Sequence, residues 1–367
     1  MTSPAMNASS SPAPLDRSSW KRVRLGEICS IVMGQSPDSS GYNENGEGLP
    51  LIQGNADIEN RVTIRRTFTR HITKRAYKGD LILTVRAPVG NVARAAFDCC
   101  LGRGVCALRD APPYLYYLLE QMEPNWGRFS GGSTFDSINS DSLAATPILF
   151  PPLPVQRRIA SSLSAVDGHL ASLGELVSKY EAIKKSTVSL LLRPQPTWQT
   201  KPLGDLAFIK TGTRNTQDAV EDGKYPFFVR SPIVERINTF SFDGEAVLVA
   251  GDGVGAGKVF HYVNGKHDCH QRVYRLCNFS AEVCGRYVYH VLTSRFPVYM
   301  EQRNDKASVD SLRLPTFKEF PVQYPAIDEQ RKIVHAIDTC DAMLSSLAAE
   351  REKLASLKRG LLRHFFG

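Results

Sequence analysis

Pro151-Pro152-Leu153-Pro154-Val155-Gln156-Arg157-Arg158-Ile159 opens the stretch that decides the fold, because the apolar residues after it fall at Ile159, Leu163, Val166, Leu170, Leu173, Val177 and Tyr180. Steps of four and three held over three heptads mark a helix with a narrow apolar seam, here interrupted only by Gly168 and Gly174. Near the end of the chain Ile327-Asp328-Glu329-Gln330-Arg331-Lys332-Ile333 leads into a second seam, Ile333, Ile337, Cys340, Leu344, Leu347, Leu354 and Leu361, with Arg351 as its one charged position. A seam this narrow cannot wrap a globular core, so it must meet another long helix, and the obvious mate is its own repeat. At about 1.5 Å per residue, Val155 to Leu192 spans about 57 Å, more than one and a half turns of B-DNA at about 34–36 Å each.

Working outward, the rest of the chain is also written twice. Trp20-Lys21-Arg22-Val23-Arg24-Leu25-Gly26-Glu27-Ile28 is echoed by Trp198-Gln199-Thr200-Lys201-Pro202-Leu203-Gly204-Asp205-Leu206. Gly79-Asp80-Leu81-Ile82-Leu83 is echoed by Gly244-Glu245-Ala246-Val247-Leu248, each a Gly-acid turn feeding an apolar strand. Three echoes in one order indicate an internal duplication. The expected fold class is α+β: two repeated domains of mixed strands and helices, separated by two long helices forming an antiparallel coiled coil.

Bulk composition bounds the function. The 367 residues suit two or three domains, and 45 Lys and Arg against 37 Asp and Glu give a net charge of +8, which favours an anionic partner. The eight cysteines include no C-x-x-C pair, so zinc-ribbon spacing is absent; they read as buried small hydrophobes of a chain kept in the reducing cytoplasm. No run of eighteen apolar residues suggests a membrane span. Residues 1–19, rich in Ser, Pro and Ala and without a basic-then-apolar signal pattern, are expected to form a disordered tail.

Motifs for chemistry fail on inspection. Gly251-Asp252-Gly253-Val254-Gly255-Ala256-Gly257-Lys258 looks like a phosphate cradle, yet Asp252 stands where the first glycine of a P-loop belongs and Val259 where Ser or Thr should follow the lysine. It reads as a glycine-rich turn between strands, open enough for its backbone to approach an anionic partner. Ala111-Pro112-Pro113-Tyr114 is close to the Asp/Asn-Pro-Pro-Tyr motif of amino-methyltransferases, but Ala111 cannot accept the target amine's hydrogen bond and no glycine-rich cofactor loop precedes it. Pro-Pro there is the opening of a helix through Glu120. No H-E-x-x-H or G-x-S-x-G is present, and His267, Cys269 and His270 read as a turn and strand end rather than metal ligands.

The Trp-x4-Leu-Gly-acid opening, the run Gly79-Asp80-Leu81-Ile82-Leu83-Thr84-Val85-Arg86-Ala87-Pro88-Val89-Gly90, and the Pro-Pro-Leu-Pro-x-Gln-x-x-Ile string before a heptad helix together resemble the specificity subunits of type I restriction-modification systems. The likeness covers the chain after Ser19; in the second copy Tyr324-Pro325-Ala326-Ile327 departs from the Pro-Pro-Leu-Pro pattern while Gln330, Arg331 and Ile333 keep their places. The resemblance implies target-recognition domains at 20–152 and 197–325, spacer helices at 153–196 and 326–367, and a subunit without cofactor or catalytic site. It further implies a partner set of double-stranded DNA bearing a bipartite asymmetric site, two methyltransferase subunits and restriction subunits. Two rival readings are a methyltransferase or nuclease fused to one recognition domain, and a coiled-coil scaffold that binds DNA without sequence preference.

Candidate DNA contacts follow from side-chain type, since Lys and Arg attract phosphates while Arg, Asn and Gln reach base edges. Arg61, Arg65, Arg66, Arg70, Lys74 and Arg75 crowd a strand-like stretch alternating around Val62, Ile64 and Phe68. Arg128, Ser133 and Thr134 complete the first-half set; Lys258, Lys266, Gln271, Arg272, Arg303, Asn304 and Lys306 form the second. Lys184 and Lys185, mirrored by Lys358 and Arg359, are either charged flanks of a coil or a docking edge.

Overall fold

Leu81–Thr84 is buried at all four positions because the sheet around it is covered on both faces. Leu81 and Leu83 join the core of Tyr114, Leu115 and Leu119 from the helix Pro113–Met122, while Ile82 turns to a second cluster with Ile52, Ala93 and Leu101. The computed structural model describes residues 16–128, 137–302 and 311–367, and this strand belongs to the first of two units, residues 1–173 with 350–367; the second unit is 174–349.

In the first unit the six-stranded sheet runs Ser30–Met33, Val105–Arg109, Leu81–Thr84, Val92–Arg94, Val62–Thr63, Ile58–Glu59, and a five-stranded sheet adds Tyr42–Asn43, Thr67–Thr69, Leu49–Ile52, Cys99–Leu101 and Arg75–Ala76. Lys21–Arg24 pairs separately with Pro147–Phe150. The arginine-rich stretch 61–75 departs from the alternation expected of it. It holds three strands of two or three residues, buries Thr63 and Thr69, and leaves Val62 exposed. A turn with Asn60 and Arg61 at φ 48° and 61° breaks the strand where alternation should begin.

The second unit repeats the order with one merger. Its sheet runs Phe208–Thr211, Val273–Cys277, Phe242–Ala250, Phe260–Cys269, Tyr225–Phe228, Glu235–Ile237, so one ten-residue strand, Phe260–Cys269, does the work of two strands in the first unit. Gln199–Pro202 pairs with Pro321–Tyr324. The duplicated central strands align one residue away from the Gly-acid match. Leu81 pairs with Leu108, and Val247 with Leu276; Leu81 and Leu83, like Val247 and Val249, lie in the core beside the domain helix. Gly244-Glu245 is not the turn expected of it, since it lies within Phe242–Ala250 and pairs with Gly265 and Asn264, and because a one-residue slip exchanges the faces of a strand, burial sets the true register.

The proline-glutamine string has a physical role in both copies. Gln156 is buried and its Nε2 donates to the carbonyl of Pro151 at 2.8 Å; Gln330, fully buried, does the same to Pro325 at 2.9 Å. Each amide closes the turn from the last strand into a long helix, Leu153–Leu191 and Ile327–Phe366. Within the first unit the early part of the first long helix (Ile159, Leu163) packs with the end of the second (Leu362, Phe365). Within the second unit the late part of the first (Val188, Leu191) meets the start of the second (Ile333, Ile337). The pair is therefore antiparallel, as an α+β fold with a coiled-coil spacer requires.

Of the ambiguous lysines, Lys184 pairs with Asp341 inside the coil, and Lys358, 12% exposed, sits between Glu120 and Asp167. Lys185 and Arg359 stay exposed. All eight cysteines are free thiols, six of them buried, and burial pushes Cys99 and Cys106 up to about 12. No helix among the described residues is long and apolar enough to cross a membrane.

Candidate nucleic-acid interface

Each unit gathers its loops at one end of the sheet through the same four backbone hydrogen bonds. In the first unit Gly34 N–H donates to Val105 O (3.0 Å), Gly102 to Ile52 O (2.8 Å), Val85 to Gly104 O (2.9 Å) and Ile138 to Val85 O (2.9 Å). In the second, Gly212 donates to Val273 O (3.2 Å), His270 to Phe228 O (3.0 Å), Gly251 to Arg272 O (2.9 Å) and Leu312 to Gly251 O (2.8 Å). The next residue in each tip makes an isolated bridge, Arg86 with Ser137 and Asp252 with Ser311. The frameworks thus superimpose bond for bond, and they equate Arg86 with Asp252, Arg103 with Gln271 and Gly104 with Arg272.

The side chains on the two frameworks differ. The first carries exposed Gln35, Gln53, Arg86 and Arg103. The second places Arg272 and Arg230 on one Asp252 carboxylate, Arg230 at 3.5 Å. The Arg272 guanidinium holds the Asp252 carboxyl below the usual carboxylate range. Behind them Asp268, fully buried, accepts Ser241 Oγ (2.8 Å), its neighbour Cys269 N–H (3.0 Å) and Arg214 Nε (3.4 Å). Gln271 donates to Asn215, and His270 Nδ1 accepts the Arg272 N–H at 3.0 Å, which needs that nitrogen unprotonated. Burial, with Arg230 and Arg272 nearby, pushes His270 below the usual histidine range. Thr211, Asp252, Gln271, Arg272, Tyr274 and Ser311 line a cleft of about 320 Å³ at this end.

The turn 251–259 is the glycine-rich connection expected between strands. Gly257, at φ 64°, would bring a Cβ to 3.0 Å from Phe296 Cε1 in the core. The glycine is there for backbone shape and close packing rather than for a nucleotide. Gly257→Ala should therefore destabilise the second unit by about 1–2 kcal/mol, read from urea melts of that unit's signals. A neutral result would mean the tip is not seated on the core.

The candidate contacts of the first half are scattered rather than collected. Arg61 pairs with Glu120 and Glu123, Arg65 stacks on Phe97 at 4.5 Å, Arg66 donates to Ala56 O, and Arg70 pairs with Glu47. Arg75 is exposed on a strand beside Cys100. Among the described candidates of this half Lys74 borders the loop end: its carbonyl accepts Leu101 N–H, and adjacent Thr73 donates to Gln35 O. In the second half Lys258, Gln271 and Arg272 belong to the loop end, whereas Lys266 lies over the Phe240 ring at 4.8 Å. Arg128 ends the turn Glu123–Arg128; Ser133, Thr134, Arg303, Asn304 and Lys306 lie outside the described residues. Sequence reasoning passed over Arg86, Arg103, Arg214, Arg230 and Asp252. Aligning the two central strands by their buried faces brings Arg86 and Asp252 together at once.

His267, Cys269 and His270 do not converge as ligands, since His267 Nδ1 is taken by Gly265 O at 2.8 Å, and no metal-holding group of three or more His, Cys, Asp or Glu exists among the described residues.

Known proteins share this layout. The chain is 34% identical over 180 residues to a protein of Methanocaldococcus jannaschii named "Putative type I restriction enzyme MjaX specificity subunit", covering 47% of this chain and 42% of that one. It is 29% identical over 160 residues to the type I restriction enzyme EcoDI specificity subunit of Escherichia coli, covering 44% and 35%. The chain thus spans less than half the length of these curated relatives. In fold it matches the crystal structure of a type I restriction-modification system S subunit from M. genitalium, with TM-score 0.70, 17% identity and coverage of 95% of this chain and 96% of that one. The family of the type I restriction modification DNA specificity domain matches twice, at residues 17–177 and 196–358, once for each strand-rich segment and its following helix, and the chain belongs to that family.

Proposed function

We propose that this protein is the DNA-reading subunit of a type I restriction-modification complex, each unit reading one half of a bipartite, asymmetric site. The observation that carries the reading is the duplicated loop end: one backbone framework, built twice, bearing a different set of polar and cationic side chains each time. A shared scaffold with unlike tips is what an asymmetric pair of half-sites demands, because base edges are distinguished by the side chains that reach them. Exposed Arg86 and Arg103 in the first unit and Arg230 and Arg272 in the second supply the donors. The coil of long helices is the surface on which two methyltransferase subunits dock, restriction subunits joining them. The chain itself supplies the address and no chemistry, consistent with the failure of every catalytic motif in its sequence.

Methylome sequencing of a host expressing this chain with its cognate methyltransferase tests the proposal. The expected result is methylated adenine in one bipartite motif with a fixed nonspecific gap, lost when this chain is omitted. Methylation that ignores sequence, or that the chain performs alone, rejects it.

A further inference from the structure

Resting on that reading, we propose that Arg272 reads a guanine in the half-site of the second unit, and that Asp252 is the positioning residue that aims it. Arg272 is held at both ends. Its N–H donates to His270 Nδ1 at 3.0 Å and its carbonyl accepts Gly251 N–H at 2.9 Å, so the backbone is fixed. Its Nη1 is bound to Asp252, whose own backbone is pinned by the bridge to Ser311. The rest of the guanidinium remains open to solvent, with the side chain 58% exposed. A guanidinium braced by a carboxylate on one nitrogen keeps its remaining donors in a planar fork, and that fork matches O6 and N7 of guanine in the major groove.

Charge argues the same way. Asp252 serves two arginines, Arg272 and Arg230, so the cluster keeps one net positive charge for the nucleic acid. Pre-ordering also lowers the entropy lost when a long side chain is fixed against a base. The first unit lacks this device. Its framework puts Arg86 where Asp252 stands and Gly104 where Arg272 stands, so the arrangement is particular to one half-site rather than a scaffold feature.

The test uses the full chain in complex with its methyltransferase, after the wild-type motif has been mapped, on duplexes carrying all four base pairs at each motif position. The wild-type complex should discriminate about tenfold or more for guanine at one position of one half-site. Arg272→Lys, which keeps the charge and loses the fork, and Asp252→Ala should each cut that ratio below about threefold while leaving every position of the other half-site unchanged. The unchanged half-site reports that the complex still folds, and the exposed head of Arg272 makes the lysine variant safe for packing. If Arg272→Lys keeps the full guanine preference, the arginine only touches phosphate and the inference fails. If Arg272→Lys loses it but Asp252→Ala does not, the positioning role fails. A wild-type complex with no bipartite motif fails the proposed function instead.

Discussion

Lys358→Met should cost the first unit about 3 kcal/mol, because it leaves the buried Glu120 with Arg61 alone and the part-exposed Asp167 without its cation. Lys358 Nζ lies 2.7 Å from Glu120 and 2.8 Å from Asp167, with Lys358 12% and Glu120 9% exposed. Arg61 reaches the same Glu120 at 3.3 Å and Glu123 at 2.9 Å. Removing Lys358 leaves Glu120 and Glu123 sharing Arg61 and takes away the ion-pair partner of Asp167. The pair is not a net source of stability, since desolvation offsets most of its attraction, so Glu120→Gln combined with Lys358→Met should recover most of the loss. For a unit of this size the single variant should melt about 6 °C or more below wild type. A loss below about 1 kcal/mol, or a double variant as unstable as the sum of both singles, would show the cluster is solvated.

This cluster also shows where sequence stops being informative. Heptad spacing identified the long helices, and Lys358 was visible as a charge near a helix end, but nothing local says that Glu120, 238 positions earlier, lies beside it. The partner is set by how the domain helix Pro113–Met122 lands on the coil, a tertiary choice. The duplication was legible because it repeats residue types in order. Its register was not, because Gly79 sits in a turn while Gly244-Glu245 lies inside the strand Phe242–Ala250, and the two strands align by burial one residue off the sequence match. A density of arginines marked the stretch 61–75, in which Arg61, Arg65, Arg66 and Arg70 turn to separate partners, whereas Arg86 and Arg103, isolated in sequence, are brought to one loop end by backbone hydrogen bonds. The Gln156 and Gln330 amides were the opposite case: the string named them before their role was visible, since a turn closed by one side chain needs that side chain at one spacing.

Acid should unfold the second unit before the first. His261, His267, His270 and His290 all belong to the second unit, and burial is the largest cause pushing each below the usual histidine range. His267, His270 and His290 are 0%, 5% and 4% exposed, whereas His71, His169 and His364 of the first unit are not buried. A histidine depressed in the fold stays neutral there while the unfolded chain takes up its proton near pH 6.5. Stability is therefore whole above about pH 6.5 and falls below it, by up to about 1.4 kcal/mol per pH unit for each group, until the folded-state value is reached. His290 contributes least, because Asp338 at 2.9 Å opposes the shift. Between pH 7.5 and 5.5 the four together should lower the stability of the second unit, by no more than about 5 kcal/mol. Hydrogen exchange, corrected for intrinsic rates, should show lost protection in Phe242–Ala250 and Phe260–Cys269 while Leu81–Thr84 and Val105–Arg109 keep theirs. Equal loss in both units would mean that general charge repulsion, not these histidines, governs acid unfolding. The loop proposed to read DNA is part of the same event, since protonating His270 Nδ1 removes the acceptor for Arg272 N–H, so on that proposal DNA discrimination by the second unit should decline over the same pH window as protection does.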